Sequence, residues 1–266
     1  MRAALVTGAS SGIGAACAAR LVSTGWRVFA GVRGLGNAPK GTQELLLDVT
    51  SEEQIRAAAQ RIDRLDALVN NAGIAIAMPL EFIPLQELRR QLEVNVIGQI
   101  AVTQAFLPHL RRSQGRVVFV GSIAGKSALP FLGAYAASKH ALEALADSLR
   151  IELRPFGVAV SLVEPGTIRT PIWKKSAALA DSLADSAPAD LRELYGERIA
   201  AFGRVAARRG ARGAPVEAVV RAVEQALTQE RPRTRRLVGR DAKLRAGVER
   251  LPDRIRDSVY ERVLLR

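Results

Sequence analysis

Short, continuously apolar runs alternate along this chain with longer segments whose apolar residues recur every three or four positions. The runs Ala3–Val6, Arg27–Val32, Glu44–Leu47, Ala67–Val69, Arg116–Val120, Val158–Val163 and Arg236–Val238 read as seven strands. Between them, Gly12–Ser23, Ser51–Arg61, Pro84–Gly98, Ile100–Arg112, Ala134–Leu153 and Pro215–Gln229 have the helical period. Ser51 followed by Gln54 predicts a capping box at one helix start. Alternating strands and helices predict an α/β domain with a doubly wound parallel sheet of about seven strands. Val117, Val118, Phe119 and Val120 form an unbroken apolar run, as expected of a strand buried on both faces. Right-handed crossovers then bring every strand's carboxyl end to one edge, where ligands bind.

Two stretches depart from this rhythm. Between Arg33 and Thr42 lie three glycines and a proline, so that crossover should lack a helix. From Thr167 to Gly213 the strand pattern gives way to Ala-rich, Ser-rich and charged helical sequence, which reads as an insertion over the ligand edge. The expected organisation is a single domain over residues 1–240, carrying a substrate-binding insertion at 167–213, followed by a basic amphipathic tail at 241–266.

With 266 residues and 48% hydrophobic content, the chain can bury a large core, which excludes a disordered or fibrous protein. The start, Met1 to Thr7, reads as a strand rather than a signal peptide. No run approaches the roughly 20 apolar residues of a membrane span. Cys17 is the only cysteine, and His109 and His140 are the only histidines. A disulfide, a cysteine metal cluster, a zinc site and a Ser-His-Asp hydrolase are therefore not expected, and no metal is. A soluble protein in a reducing cytoplasm is expected. Residues 201–266 carry 17 Lys and Arg against 8 Asp and Glu, a net +9 of the chain's +13. The excess thus sits at one end rather than in a central groove, which argues against a nucleic-acid site.

From Ala3 the sequence runs through Thr7-Gly8-Ala9-Ser10-Ser11-Gly12-Ile13-Gly14 into a helix. This is the place where a Rossmann-type fold cradles a dinucleotide. Gly8 permits the tight turn, Gly12 lets the backbone approach a pyrophosphate, and Gly14 allows close helix-to-strand contact. The same glycines would also suit a purely structural turn. At the end of the second strand, where an acidic residue would bind the ribose of NAD, stands Val32-Arg33. A guanidinium there matches a 2′-phosphate, so NADP(H) is the expected cofactor, with NAD(H) the alternative. An ordinary surface arginine is the competing reading of Arg33.

Tyr135 and Lys139 stand four apart near the start of a helical segment, which puts them on one face about 5–6 Å apart at Cβ. A cation beside a phenol stabilises its ionised form. Thr7-Gly8-x-x-x-Gly12-Ile13-Gly14, Asp48-Val49, Asn70-Asn71-Ala72-Gly73, Asn95, Ser122, Tyr135-x-x-x-Lys139 and Pro165-Gly166-x-x-x-Thr170 occur in this order. Together these motifs give a chain that resembles the short-chain dehydrogenase/reductase family, densely to about residue 170.

The resemblance implies that Ser122 hydrogen-bonds the substrate oxygen and that Tyr135 exchanges its proton. Lys139 would hold the nicotinamide ribose and lower the Tyr135 pKa, and Asn95 would anchor a water relay to Lys139. Gly8, Ser10, Ser11, Gly12, Ile13, Gly14, Arg33, Asp48, Val49, Asn71, Ala72, Gly73, Pro165, Gly166, Ile168 and Thr170 would line the cofactor. Asp48, taken alone, also suits a turn or helix cap, as does Ser122. Neither residue before Gly12 is basic, so the phosphate preference rests on Arg33.

Phe131, Leu132 and Trp173, with the helical stretch Ala177–Phe202, are expected to shape a lipophilic pocket; family members that act on retinoids, steroids or 3-hydroxyacyl compounds are the nearest analogy. In the tail, Leu244, Val248, Leu251, Ile255, Val259 and Val263 form an apolar stripe among arginines, broken near Pro252. Such a stripe packs on its own domain or a partner more often than on an anionic membrane. The resemblance also implies a homodimer or homotetramer across Ile100–Arg112 and Ala134–Leu153. The competing function is a non-catalytic NADP(H)-binding sensor or scaffold using the basic tail, with epimerisation or dehydration a third reading.

Overall fold

A computed structural model describes residues 1–185 and 189–264, without the side chains of 174, 175, 184 and 185. The expected insertion and tail include 186–188 and 265–266, which lie outside the described residues.

Seven parallel strands form one sheet: β1 (Ala3–Thr7), β2 (Arg27–Val32), β3 (Gln43–Leu46), β4 (Ala67–Asn70), β5 (Arg116–Val120), β6 (Ala159–Pro165) and β7 (Arg235–Val238), in the order β3-β2-β1-β4-β5-β6-β7. In register, Leu5 pairs with Phe29 on one side and Leu68 on the other. Side chains alternate between the two faces of a strand. One face of the sheet therefore collects Val6, Val28, Val69, Val118 and Val163, and the other collects Leu5, Phe29, Leu68, Phe119 and Leu162.

Helices cover both faces. On the valine face lie α1 (Gly12–Ser23), with Cys17 and Leu21, and α8 (Val216–Thr228), with Val219 and Val223. The other face is covered by α2 (Glu52–Arg61), α4 (Gly98–Ser113) and α5 (Gly133–Glu152), through Ile55, Phe106, Leu110 and Leu142. Each such fully buried Leu, Ile or Phe contributes roughly 1.5–3 kcal/mol. Beyond the core pairs lie α3 (Leu85–Leu92), α6 (Ile172–Asp185), α7 (Ala189–Ala211), α9 (Arg240–Val248) and α10 (Asp253–Leu264). Among the described residues no helix is long and apolar enough to cross a membrane.

The expected fold class and the helix-free link between β2 and β3 are present. Two local readings are corrected. Ser51 does cap α2, its Oγ accepting from the Gln54 N–H at 3.3 Å, but the Gln54 carboxamide accepts from the Asp48 N–H at 2.7 Å instead of returning to Ser51. The helix expected over Pro84–Gly98 is α-helical only to Leu92 and then opens into a π-helical turn, Glu93–Ile97. Apolar spacing does not register that extra residue. It swings Asn95 inward, and α4 follows directly with Gly98, where a Cβ would lie 2.6 Å from the Val49 carbonyl oxygen.

Candidate active site

Strand order reverses between β1 and β4, and the carboxyl ends of the strands open there into a cavity of about 610 Å³. Small-molecule sites typically span roughly 300–1,000 Å³ and favour such switch points. The cavity begins on the turn after β1, at Gly8, Ser10, Ser11, Gly12 and Ile13, and passes Arg33, Asp48 and Val49. It continues over Asn71, Ala72 and Gly73 to Ser122, Tyr135 and Lys139, and is walled by Pro165, Gly166, Ile168, Thr170 and Trp173.

Backbone geometry explains the glycines at this turn. Gly8 and Gly12 have φ of 64° and 59°, in the left-handed region. Gly14 sits behind the turn, where a Cβ would be 2.3 Å from the Gly8 carbonyl oxygen and 2.5 Å from Asn71 Nδ2. Helix α1 thus approaches β1 as closely as a bare backbone allows. The turn is locked to β4 by Thr7 and Asn71. Thr7 Oγ1 accepts the N–H groups of Asn71 and Ala72, both at 3.0 Å, and Asn71 Nδ2 donates to the Thr7 and Gly8 carbonyls at 3.0 and 3.2 Å.

At the far side of the turn Arg33 is exposed. The loop after it is organised by Glu44, whose carboxylate accepts N–H bonds from Gly36, Asn37 and Ala38 at 2.8–3.0 Å. The Gly36 bond above all holds that carboxyl below the usual range. Asp48 serves a turn as well as the cavity wall, its Oδ1 accepting from Thr50 N and Oγ1 at 2.9 and 2.8 Å.

The reactive groups converge at the other end. Ser122 follows β5 and caps a single 3₁₀ turn, Ile123–Gly125, by accepting the Ala124 N–H at 3.1 Å. Tyr135 lies in the first turn of α5 and is 6% exposed. Both hydroxyls line the cavity, and Ser122 Oγ donates to the Pro165 carbonyl at 3.5 Å. Burial pushes the Tyr135 pKa up, while the neighbouring Ser122 hydroxyl and, to a lesser extent, the charge of Arg245 pull it back. One turn on, Lys139 is 4% exposed, with Nζ 5.8 Å from the Tyr135 ring centroid and donating to the Val120 carbonyl at 3.0 Å. Burial lowers its pKa to about 8, so it is predominantly a cation at neutral pH.

Three expected positions do not line the cavity. Asn95 is fully buried behind the cavity: its Oδ1 accepts the Ile74 N–H at 2.8 Å, and its Nδ2 donates to the Ile74 carbonyl at 2.9 Å and to Ser138 Oγ at 3.0 Å. Both amide protons are thereby used, and the side chain braces the loop after β4. Phe131 and Leu132 do not line the main cavity. Phe131, with φ of 64°, turns its ring to Tyr195 and Phe202, at centroid separations of 6.3 and 5.4 Å. Leu132 packs with Leu129, Tyr260 and Leu264 in the layer behind Trp173.

Other positions were invisible to motif reading. Gln91 bonds both backbone groups of the loop at Ile74 and Ile76, at 2.8 Å each, and Gln99 Nε2 donates to the Ala72 carbonyl at 2.8 Å. Asp241, at the start of α9, accepts the Thr167 N–H at 2.6 Å, and its carboxyl group fills the space that a Gly166 side chain would need. Nothing in one sequence marks a helical glutamine or a tail aspartate as serving a loop far away in the chain. The tail stripe also differs from its reading: Val248 and Val259 turn inward together with Arg245, Tyr260 and Leu264, whereas Leu244, Leu251, Ile255 and Val263 are exposed.

A model of the short chain dehydrogenase family matches residues 2–180. The chain is 36% identical to the NADPH-dependent 3-dehydrocapnine reductase of Ornithobacterium rhinotracheale, across 98% of this chain and 96% of that protein. It is 38% identical to retinol dehydrogenase 16 of Homo sapiens, across 90% of this chain and 81% of that one. Among solved structures it is similar to a short chain dehydrogenase from Burkholderia cenocepacia in complex with NADP, with a TM-score of 0.76, 28% identity and 99% of each chain covered. The sensor or scaffold reading draws no support from these relatives, which are named as reductases and dehydrogenases.

Proposed function

The chain belongs to the short-chain dehydrogenase family of oxidoreductases, and on that premise we propose that it interconverts a carbonyl and the corresponding secondary alcohol of a lipophilic substrate, with NADP(H) as cofactor. The observation that carries this reading is that the Ser122 and Tyr135 hydroxyls and the Lys139 ammonium line one stretch of wall in a cavity that also takes in Gly8 and Trp173.

The cavity fits the cofactor. At Gly8 the space a side chain would fill is already occupied, since a Cβ there would lie 2.9 Å from Ala72 Cα. The turn therefore stays bare, and N–H groups at the start of α1 would be open to an anion. Gly8 and Ser10–Ile13 would hold the pyrophosphate, Arg33 a 2′-phosphate, Asp48 and Val49 the adenine, and Asn71–Gly73 the ribose side. Pro165, Gly166, Ile168 and Thr170 would meet the nicotinamide end, with Lys139 on its ribose. Arg33 is free for a phosphate, because no carboxylate is paired with it among the described residues. When bound, the nicotinamide supplies the hydride in reduction and takes it up in oxidation.

In the reductive direction Ser122 donates to the substrate carbonyl oxygen, and Tyr135 delivers its proton to that oxygen as charge develops there. The phenolate left behind is stabilised by the Lys139 cation, and a proton from solvent restores the phenol. Oxidation reverses each step, with Tyr135 removing the alcohol proton. General acid-base help of this kind is worth typically 10²- to 10⁴-fold. Asn95 acts by keeping the loop from Ile74 and the Tyr135 helix in place.

Trp173 stands edge-on to Tyr135 at 6.0 Å, and an apolar layer of Leu129, Leu132, Phe202 and Val205 lies behind it. An apolar wall beside the reacting oxygen supports a steroid, retinoid or 3-hydroxyacyl substrate, in keeping with the retinol dehydrogenase relative. The proposal extends to a dimer or tetramer across α4 and α5, to a soluble protein of the cytoplasm, and to a tail that packs on the domain. The decisive assay follows NADPH oxidation with steroid, retinoid, acyl and small aromatic carbonyls. Turnover is expected with a lipophilic class, and absence of turnover with every class would overturn the reading.

A further inference from the structure

A second cavity, of about 800 Å³, opens at the edge of the sheet and shares no lining residue with the dinucleotide cavity. Its walls come from α8, from β7, an edge strand paired only with β6, and from the first turn of α9. Arg221 stands on α8, Arg233 in the loop entering β7, Arg236 on β7, and Arg240 and Lys243 on α9, and all five line the cavity. None of the five is paired with a carboxylate among the described residues. Arg236 donates to the Gln225 carboxamide, and the other four are exposed.

The floor of the cavity balances its own charge. Glu164, the only acid in the wall among the described residues, is fully buried, with Oε1 3.1 Å from Lys126 Nζ and 3.5 Å from Arg235 Nε. Those two cations also pair with Glu143, at 3.2 and 2.8 Å, and Arg235 pairs with Asp147. Asp241, the acid in the first turn of α9, accepts the Thr167 N–H and does not line the cavity. The five outer cations are thus left without a counter-charge, and the N-terminal end of the α9 dipole adds to their field.

Charges on an edge strand deter pairing with another sheet, and Arg235 and Arg236 suffice for that. Edge protection gives no reason for Arg221, Arg233, Arg240 and Lys243, which come from three other segments to one concave surface. Guanidinium forks match phosphate oxygens bidentately. We propose that this cavity is a second anion site, separate from the dinucleotide cavity, for a compact ligand carrying two or more phosphate groups. Several anionic groups are needed because five cations share the wall. A small ligand is needed because the surface is a cavity of small-molecule size and not a flat or extended basic face.

The test is calorimetric titration of the full chain with inorganic triphosphate at about 0.15 M salt, with and without saturating NADPH. A single class of sites should persist, with little change in Kd, when NADPH fills the dinucleotide cavity. Arg221→Gln combined with Lys243→Gln, two exposed positions on opposite walls, should raise that Kd by about tenfold or more. Arg56→Gln combined with Arg61→Gln removes the same charge from exposed positions on α2 and should leave it within about twofold. Inorganic phosphate should bind about tenfold or more weakly than triphosphate. No binding, or equal weakening by the two double variants, would overturn the proposal, the second by reducing the effect to net charge. Binding seen only without NADPH would place the triphosphate in the dinucleotide cavity and overturn it too. A single-stranded RNA that displaces triphosphate and binds more tightly would make the cavity part of a nucleic-acid surface and overturn the small-ligand assignment.

Discussion

The two ends of the cavity are built from different materials. At the dinucleotide end, the surfaces are backbone: bare glycines at 8 and 12, the Gly14 contact, and N–H groups held by Thr7 and Asn71. At the substrate end, the surface is a side chain brought from afar, Trp173 on α6, backed by Phe202 on α7 and Tyr260 on α10. Backbone surfaces tolerate almost no substitution and bind what the backbone of every chain can bind, an anion. Side-chain surfaces can be exchanged while the chemistry between the two ends stays the same. One scaffold can therefore keep its cofactor and change its substrate.

If the difference is real, the largest single effect should come from adding one carbon at the dinucleotide end. Gly14→Ala is expected to cost about 3 kcal/mol or more, since the methyl overlaps the Gly8 carbonyl, and to abolish nucleotide binding in whatever fraction folds. Urea unfolding with a nucleotide titration measures both; a stable, NADPH-binding variant would break the comparison.

The buried Lys139 sits where the two ends meet, and its titration should show in stability. Its pKa falls from 10.5 to about 8 on folding, so between those values the unfolded chain binds more protons than the folded one. Stability should rise with pH through this window, on the order of 3 kcal/mol in all, and the cost of the buried charge is present in full below it. Urea unfolding across pH 7–11 should show the rise in wild type and its loss in Lys139→Met.

A smaller effect belongs to the phosphate. Arg33→Ala should raise the KM for NADPH by about 10- to 100-fold, the scale of a lost hydrogen bond to a charged group, and leave NADH nearly unchanged. Equal losses with both cofactors would remove Arg33 from the 2′-phosphate. Smallest of all, Trp173→Ala should raise the KM for the carbonyl substrate about tenfold through lost apolar contact, with the Kd for NADPH unaltered.

The same division decides what a reader of the sequence can see. Backbone demands leave a local signature, because a left-handed turn or a close helix approach needs glycine at a fixed place, and Tyr135 and Lys139 reveal themselves by helical spacing. The sheet was legible for a similar reason, since a strand buried on both faces must be apolar throughout. The motif order points to Asn95 but not to its bonds with Ile74, since Ile74 lies across the fold and the π-helical turn that carries Asn95 leaves apolar periodicity intact. Phe131 and Leu132 look like pocket residues from their place before the Tyr135 helix. They are drawn into the layer behind by α7 and α10, whose docking no local pattern encodes. Arg245 and Asp241 are hidden in a run of charges that reads as solvated surface, and only tertiary packing separates them from their neighbours.

The central claim is that Tyr135 moves the proton at an oxygen it shares with Ser122, in a site that holds the dinucleotide independently. The most direct measurement pairs turnover with NADPH titration in Tyr135→Phe, a change that removes one hydroxyl from a buried ring. The account predicts turnover lowered by about 10²- to 10⁴-fold with the Kd for NADPH within a factor of about two of wild type. Turnover near the wild-type rate, with the nucleotide equally well bound, would contradict it.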